Sequence, residues 1–80
     1  MYYVYILEDE DNKKYIGYTN NLKRRIEEHN ANKGAKYTQN RKWEIAYIEG
    51  YRTREQAIKR EKSIKRSGAI RKALYERISM

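Results

Sequence analysis

The chain has 80 residues, and 19 Lys and Arg against 11 Asp and Glu give it a formal net charge of +8. This length predicts a single domain, residues 1–80, with a thin core. The absence of cysteine excludes disulfides and thiolate metal sites. No apolar run approaches a membrane span, and Met1 leads straight into a strand-like segment. We therefore expect a cytoplasmic protein without a signal peptide and without a membrane partner.

The positive charge favours a polyanionic partner, with nucleic acid ahead of an anionic membrane surface. Net charge predicts attraction and says nothing about chemistry. A basic domain that binds no polyanion is the alternative on charge alone.

The first two predicted elements are strands that form a hairpin. Tyr2–Glu8 is apolar on both of its alternating faces, which is typical of a central strand covered on both sides. Residues 9–12 are a polar turn, and residues 13–19 are the second strand. The two faces of the first strand consist of Tyr3, Tyr5 and Leu7 and of Tyr2, Val4 and Ile6.

A helix, a loop and a third strand follow. Asn20 or Asn21 caps a helix from Leu22 to about Asn30. Residues 31–42 are polar and basic without a clear period, which predicts a loop. Residues 43–50 alternate as a third strand. Its first face is predicted to hold Trp43, Ile45, Tyr47 and Glu49.

Two helices complete the chain. Residues 53–56, with the sequence TREQ, form a capping box that opens a helix ending near Gly68. Residues 69–78 form the last helix, with Ile70, Ala73, Leu74 and Ile78 facing inward. The predicted fold class is α+β, with a small three-stranded antiparallel sheet and the order β-β-α-β-α-α.

His29 falls within the apolar stripe of the first helix. Leu22 and Ile26 define that stripe, and Arg25 lies at its edge. A histidine that fills space and a histidine that carries chemistry are about equally well supported by this pattern.

Glu61 falls among apolar positions of the next helix, between Ala57 and Ile64. An ionised carboxylate is rarely buried without a partner, because its desolvation is costly. The position therefore indicates a metal ion or a partner linked to the substrate. The alternative is an i, i+4 ion pair in which Lys65 shields Glu61 at the surface.

Basic residues interleaved with an aromatic ring follow His29 in the predicted loop. Such residues hold phosphates and stack a base, so we predict nucleic-acid contacts there. The residues are Lys33, Lys36, Tyr37, Arg41 and Lys42.

Two tripeptides resemble the paired motif of the GIY-YIG nuclease superfamily. They are Tyr3-Val4-Tyr5 and, after nine residues, Tyr15-Ile16-Gly17. Tyr3 stands where the name-giving glycine would be.

Three further residues are similar to the superfamily's functional positions. Arg25 and His29 lie eight and twelve residues past Gly17, and Glu61 resembles the metal-binding glutamate. The segments GAKYT and AIKREKSIK resemble short bacterial members that consist of this domain alone. Several nuclease members also carry an asparagine beyond the glutamate, whereas this chain has none after Asn40.

The resemblance implies an endonuclease that hydrolyses phosphodiester bonds of DNA, in repair or on branched or single-stranded substrates. Tyr5 or Tyr15 would take the proton of the attacking water, and His29 would accept or relay it. A phenol is a weak base at neutral pH, so nearby positive charge is expected to lower its pKa. Arg25 would bind the scissile phosphate, and Glu61 would hold a single Mg²⁺ or Mn²⁺.

The resemblance also bears on partners. DNA is expected before RNA, and a partner protein or a homodimer would select the target, because 80 residues leave no room for a recognition domain. The alternative function is a non-catalytic nucleic-acid-binding module with the same fold. A third hypothesis is a protein-interaction domain whose basic face meets acidic partners.

Overall fold

Three strands and three α-helices follow one another in the order β-β-α-β-α-α, as the sequence predicted. The computed structural model describes residues 1–79. The elements are β1 (Tyr2–Glu8), β2 (Lys14–Thr19), α1 (Leu22–Asn30), a short 3-10 turn (Lys36–Thr38), β3 (Glu44–Tyr51), α2 (Arg54–Arg66) and α3 (Gly68–Ile78). No helix within this described part is both long and apolar enough to cross a bilayer.

β1 is the central strand of an antiparallel sheet with the order β2-β1-β3. The prediction from its two apolar faces is confirmed. Val4, Ile6 and Ile16 pack on one side of the sheet against Ala57 and Ile64 of α2 and Leu74 of α3. Tyr5, Leu7 and Trp43 form a second cluster with Tyr15, Leu22 and Ile26. α1 and the loop after it therefore cover one face, and α2 and α3 cover the other.

Side-chain caps fix the helix ends. Asn21 is the cap of α1 and accepts a hydrogen bond from the backbone of Arg24. Thr53 opens α2 with the predicted capping box. α2 ends at Arg66, because Ser67 serves both as its C-cap and as the N-cap of α3. The break thus precedes Gly68, which begins α3.

Two details of the predicted packing are wrong. Ala73 is exposed on α3, and Tyr75 packs against the core instead. On β3 the strict alternation fails, because Ala46 is an extra residue between the pairs Ile6–Tyr47 and Leu7–Ile45. Such a bulge moves the residues on either side of it to opposite faces of the sheet.

Candidate active site

The Tyr5 hydroxyl and the His29 imidazole meet on the face of the sheet that α1 covers. The hydroxyl lies 3.0 Å from Nε2 of His29, and both side chains are buried. The register of the hairpin places Gly17 opposite Tyr5. A Cβ at Gly17 would lie 2.5 Å from the Tyr5 hydroxyl, so only glycine leaves room for this phenol. The glycine of the second tripeptide thus has a steric role in the site.

The second ring nitrogen of His29 contacts the loop after α1. Nδ1 lies 2.8 Å from Oγ1 of Thr38, in the 3-10 turn. His29 is completely inaccessible to solvent. Burial, and then the positive charge of Arg25, lower the pKa of His29 to about 4. The imidazole is therefore neutral at physiological pH.

Tyr15 borders the same imidazole through its ring. The ring centroids of Tyr15 and His29 are 4.9 Å apart. Tyr15 in turn stacks on Tyr37, with centroids 6.3 Å apart and an interplanar angle of 23°. The ring of Tyr37 is half exposed, so an aromatic surface leads from solvent to the buried histidine.

Arg25 is partly exposed, and its positive charge acts on both members of the buried pair. Its Nη1 donates to Oε1 of Glu28 at 3.1 Å, which fixes one edge of the guanidinium. Burial raises the pKa of Tyr5 to about 12, whereas the guanidinium of Arg25 acts in the opposite direction. Arg25 therefore has the expected influence on the phenol, but burial outweighs it. In the resting site Tyr5 is protonated, and its hydroxyl shares a hydrogen bond with Nε2 of the neutral imidazole.

Glu61 approaches the site from α2. Among the influences that raise the pKa of Tyr5, burial is the largest and the negative charge of Glu61 is the smallest, so the carboxylate acts on that phenol only weakly. The Glu61 side chain is only 15% exposed, and its Oε1 lies 3.6 Å from Nζ of Lys65. The i, i+4 ion pair that was the alternative interpretation is therefore present, and the Glu61 side chain is nevertheless largely buried.

Glu61 also fits a divalent ion of a particular kind. Within residues 1–79, no group of three or more His, Asp or Glu side chains forms a protein cage for a metal. A single hard carboxylate suits Mg²⁺ or Mn²⁺, which keep several water ligands and bind through one or two carboxylates plus substrate phosphates.

The predicted nucleic-acid residues of the loop separate into three groups. Tyr37 lies at the site, while Lys33, Lys36 and Lys42 are exposed. Arg41 instead forms ion pairs with Asp9 and, at 3.6 Å, with Asp11 in the hairpin turn. Its guanidinium fastens the loop to the hairpin and is not brought to the site.

Sequence reasoning missed a groove beside Arg25. It has a volume of about 410 Å³, and three guanidinium groups line it, from Arg24, Arg25 and Arg54. Arg54 comes from the start of α2 and donates to the hydroxyl of Tyr18 at 3.4 Å. The adjacent pair Arg24-Arg25 was the signal in the sequence, whereas only the fold shows that Arg54 joins it.

The comparison with known protein families identifies the class of domain. Residues 1–72 match the model of the GIY-YIG catalytic domain. The chain therefore belongs to the GIY-YIG family, a family whose members are generally endonucleases.

Small proteins of the UPF0213 group are similar to the chain over most of its length. A UPF0213 protein of Haloquadratum walsbyi is 46% identical over 65 residues, covering 80% of this chain and 73% of the relative. One from Halobacterium salinarum is 40% identical over 77 residues, covering 94% and 100%. The solution NMR structure of a UPF0213 protein from Bacillus halodurans matches with a TM-score of 0.58 and 37% identity, covering 95% and 84%.

Proposed function

We propose that this domain hydrolyses phosphodiester bonds of DNA in a reaction that requires one divalent metal ion. The observation that carries the proposal is the hydrogen bond between the buried Tyr5 hydroxyl and neutral His29, with Arg25 and Glu61 close enough to influence the pKa of that phenol. A proton acceptor, a phosphate ligand and a hard carboxylate are the groups that phosphodiester hydrolysis requires.

The proton path runs from water to the imidazole. The Tyr5 oxygen takes a proton from the attacking water while the Tyr5 hydroxyl proton passes to Nε2 of His29. The resulting hydroxide forms a bond to phosphorus, and the bond from phosphorus to the leaving sugar oxygen breaks. That oxygen takes a proton from solvent. After the product leaves, His29 passes a proton back to the Tyr5 oxygen, and the proton that Tyr5 took from water goes to solvent.

Two other side chains hold the phosphate and the metal. The planar guanidinium of Arg25 neutralises the phosphate oxygens as charge builds on them. Glu61 would hold Mg²⁺ or Mn²⁺, which supplies positive charge to the phosphate and to the leaving oxygen when bound.

The arginine groove gives the nucleic acid a path away from the cleavage position. Because Arg24, Arg25 and Arg54 line one cavity, with Glu28 as the one carboxylate in its lining, we infer that a phosphate next to the scissile one contacts Arg24 or Arg54. Tyr37 and the exposed Lys33, Lys36 and Lys42 lie on the loop after α1, and we propose that they contact the same strand. This surface suits a polyanion of flexible shape and contains no element that reads bases in a groove.

DNA is the substrate that we propose, in the cytoplasm and in a repair role or on branched or single-stranded forms. Because the domain has little surface for sequence recognition, a partner protein or a second copy of the chain would select the target.

A cleavage assay tests the proposal. Labelled single-stranded, duplex and branched DNA are incubated with Mg²⁺ or Mn²⁺ and with wild-type protein, Glu61→Ala or Glu76→Ala. Glu76 is an exposed carboxylate on α3, so its variant controls for loss of one negative charge. We expect cleavage by the wild type and by Glu76→Ala and none by Glu61→Ala, which stays folded. Cleavage by Glu61→Ala would remove the assigned role of Glu61.

A non-catalytic nucleic-acid-binding module is the second candidate, and one observation favours it. Tyr5 is only 2% exposed. An attacking water therefore reaches its hydroxyl only when it enters together with the substrate or when the site opens slightly. This candidate predicts steeply salt-dependent binding of all three DNA forms without cleavage in any metal.

A further inference from the structure

The hydroxyl of Thr38 lies between a backbone carbonyl and the buried imidazole. Its Oγ1 is 2.8 Å from the carbonyl oxygen of Ala35, to which it donates, and 2.8 Å from Nδ1 of His29. A threonine hydroxyl has a single hydrogen and can donate only once.

This hydrogen count fixes the proton on His29. A carbonyl oxygen can only accept, so the hydrogen of Thr38 lies toward Ala35. If it pointed at His29 instead, two oxygens would face each other at 2.8 Å without a hydrogen between them. Thr38 must then accept from Nδ1, which carries the imidazole hydrogen. Nε2 is left with its lone pair, directed at the Tyr5 hydroxyl.

The surroundings hold this arrangement in place. Thr38 and His29 are both fully inaccessible to solvent, so water does not substitute for either partner. The carbonyl of Thr38 accepts from Nε1 of the buried Trp43 at 3.0 Å. A Cβ at Gly34 would collide with Nδ1 of His29, so the loop lies directly against the ring.

We propose that Thr38 is a positioning residue that holds His29, the only histidine of the chain, as the Nδ1–H tautomer and so makes Nε2 the proton acceptor for Tyr5. The tautomer follows from the hydrogen bonds alone. Its catalytic consequence depends on the proposed hydrolysis.

The tautomer is measurable without any substrate. In protein labelled with ¹⁵N at histidine, the two ring nitrogens of His29 give one pair of signals, free of overlap, and their coupling pattern shows which nitrogen carries hydrogen. We expect Nδ1–H for the wild type near neutral pH. We expect the same in Thr38→Ser, which keeps the hydroxyl, and a shift to Nε2–H or a mixture in Thr38→Val. Nε2–H in the wild type, or unchanged Nδ1–H in Thr38→Val, would overturn the proposal.

Single-turnover cleavage then separates the tautomer from the proposed function. We expect Thr38→Val to lower the single-turnover rate constant by about 10²-fold with the half-saturating protein concentration little changed, and Thr38→Ser to retain most of the wild-type rate. If the wild type holds Nδ1–H but cuts no DNA, the proposed hydrolysis fails and the positioning role of Thr38 stands. If Thr38→Val does not fold, the wild-type and Thr38→Ser spectra still decide the tautomer.

Discussion

The Tyr5 hydroxyl lies 3.0 Å from Nε2 of His29, although 24 positions separate the two residues in the sequence. The central strand provides Tyr5, and the last turn of α1 provides His29. The bond crosses the cluster formed where α1 covers the sheet, so the packing that stabilises this face also aligns a proton donor with its acceptor.

Tyr5 and Tyr15 should differ sharply in importance, because of these two tyrosines only Tyr5 hydrogen-bonds to His29 in the described part of the chain. We expect Tyr5→Phe to lower the single-turnover cleavage rate by about 10²–10⁴-fold, the range for loss of a general base. Tyr15→Phe keeps the ring against His29 and should lose less than about tenfold. Equal losses in the two variants would show that the proton path does not run through Tyr5 alone.

Replacement of Gly17 should damage the site through sterics. The added Cβ of Gly17→Ala would lie 2.5 Å from the Tyr5 hydroxyl and 3.2 Å from Cε2 of Tyr15. We expect a loss of about 1–3 kcal/mol in the free energy of unfolding, measured in urea, together with loss of cleavage. Gly68→Ala is the matched variant, at an exposed position at the start of α3. The nearest atom to its added Cβ is 3.8 Å away. That variant should be unchanged or slightly more stable, and a similar loss in both would contradict the steric argument.

On the opposite face, Glu49 should make stability depend on acid pH. Its carboxylate accepts two hydrogen bonds from Arg60, at 2.8 and 2.9 Å, and one at 2.6 Å from each of Tyr47 and Tyr51. Burial alone would raise the pKa of Glu49, but these donors outweigh it and lower the pKa from 4.5 to about 2. The unfolded chain therefore binds the proton first, and stability is lost as the pH falls from about 4.5 toward 2.

The Glu49→Gln variant tests this dependence. We expect a loss of about 2 kcal/mol in the free energy of unfolding at pH 7, typical of hydrogen bonds to a charged group. Because the pKa of His29 is about 4 in the folded protein and 6.5 in the unfolded chain, both proteins also lose stability as the pH falls from about 6.5 to 4. The two proteins are therefore compared below pH 4. There the wild type should lose stability more steeply than the variant. Parallel curves would show that Glu49 has an ordinary pKa.

The arginine groove should contribute one phosphate contact through Arg54. For duplex DNA, loss of one contact reduces the slope of log K against log salt by about 0.9. We expect this change in Arg54→Ala, measured by fluorescence anisotropy at several salt concentrations. Arg66→Ala removes the same charge from the exposed end of α2 and should change the slope much less. The same change in both variants would indicate attraction by net charge and not a groove.

Local patterns were sufficient to predict the elements and the inward direction of the key side chains. β1 is central because both of its faces are apolar, and Asn21 and Thr53 cap their helices as their side-chain chemistry requires. His29 is buried because helical spacing places it in line with Leu22 and Ile26.

Features that depend on contacts between distant parts of the chain could not be predicted from the sequence. The bulge at Ala46 arises from pairing with β1, and it overrides the local alternation of β3. Thr38 sits in a segment without a period, so nothing local indicates that its hydroxyl reaches His29. Arg41 resembles a phosphate ligand in sequence, but the fold brings Asp9 to it.

The most direct test of the central claim is a Mn²⁺ titration of the ¹⁵N-labelled protein, followed by paramagnetic broadening of its NMR signals. We predict that broadening begins around Glu61 and extends to Tyr5, Tyr15 and His29, and that Glu61→Gln abolishes it. Broadening confined to the acidic hairpin turn at residues 9–11, or an unchanged pattern in Glu61→Gln, would contradict a metal-dependent site at this position.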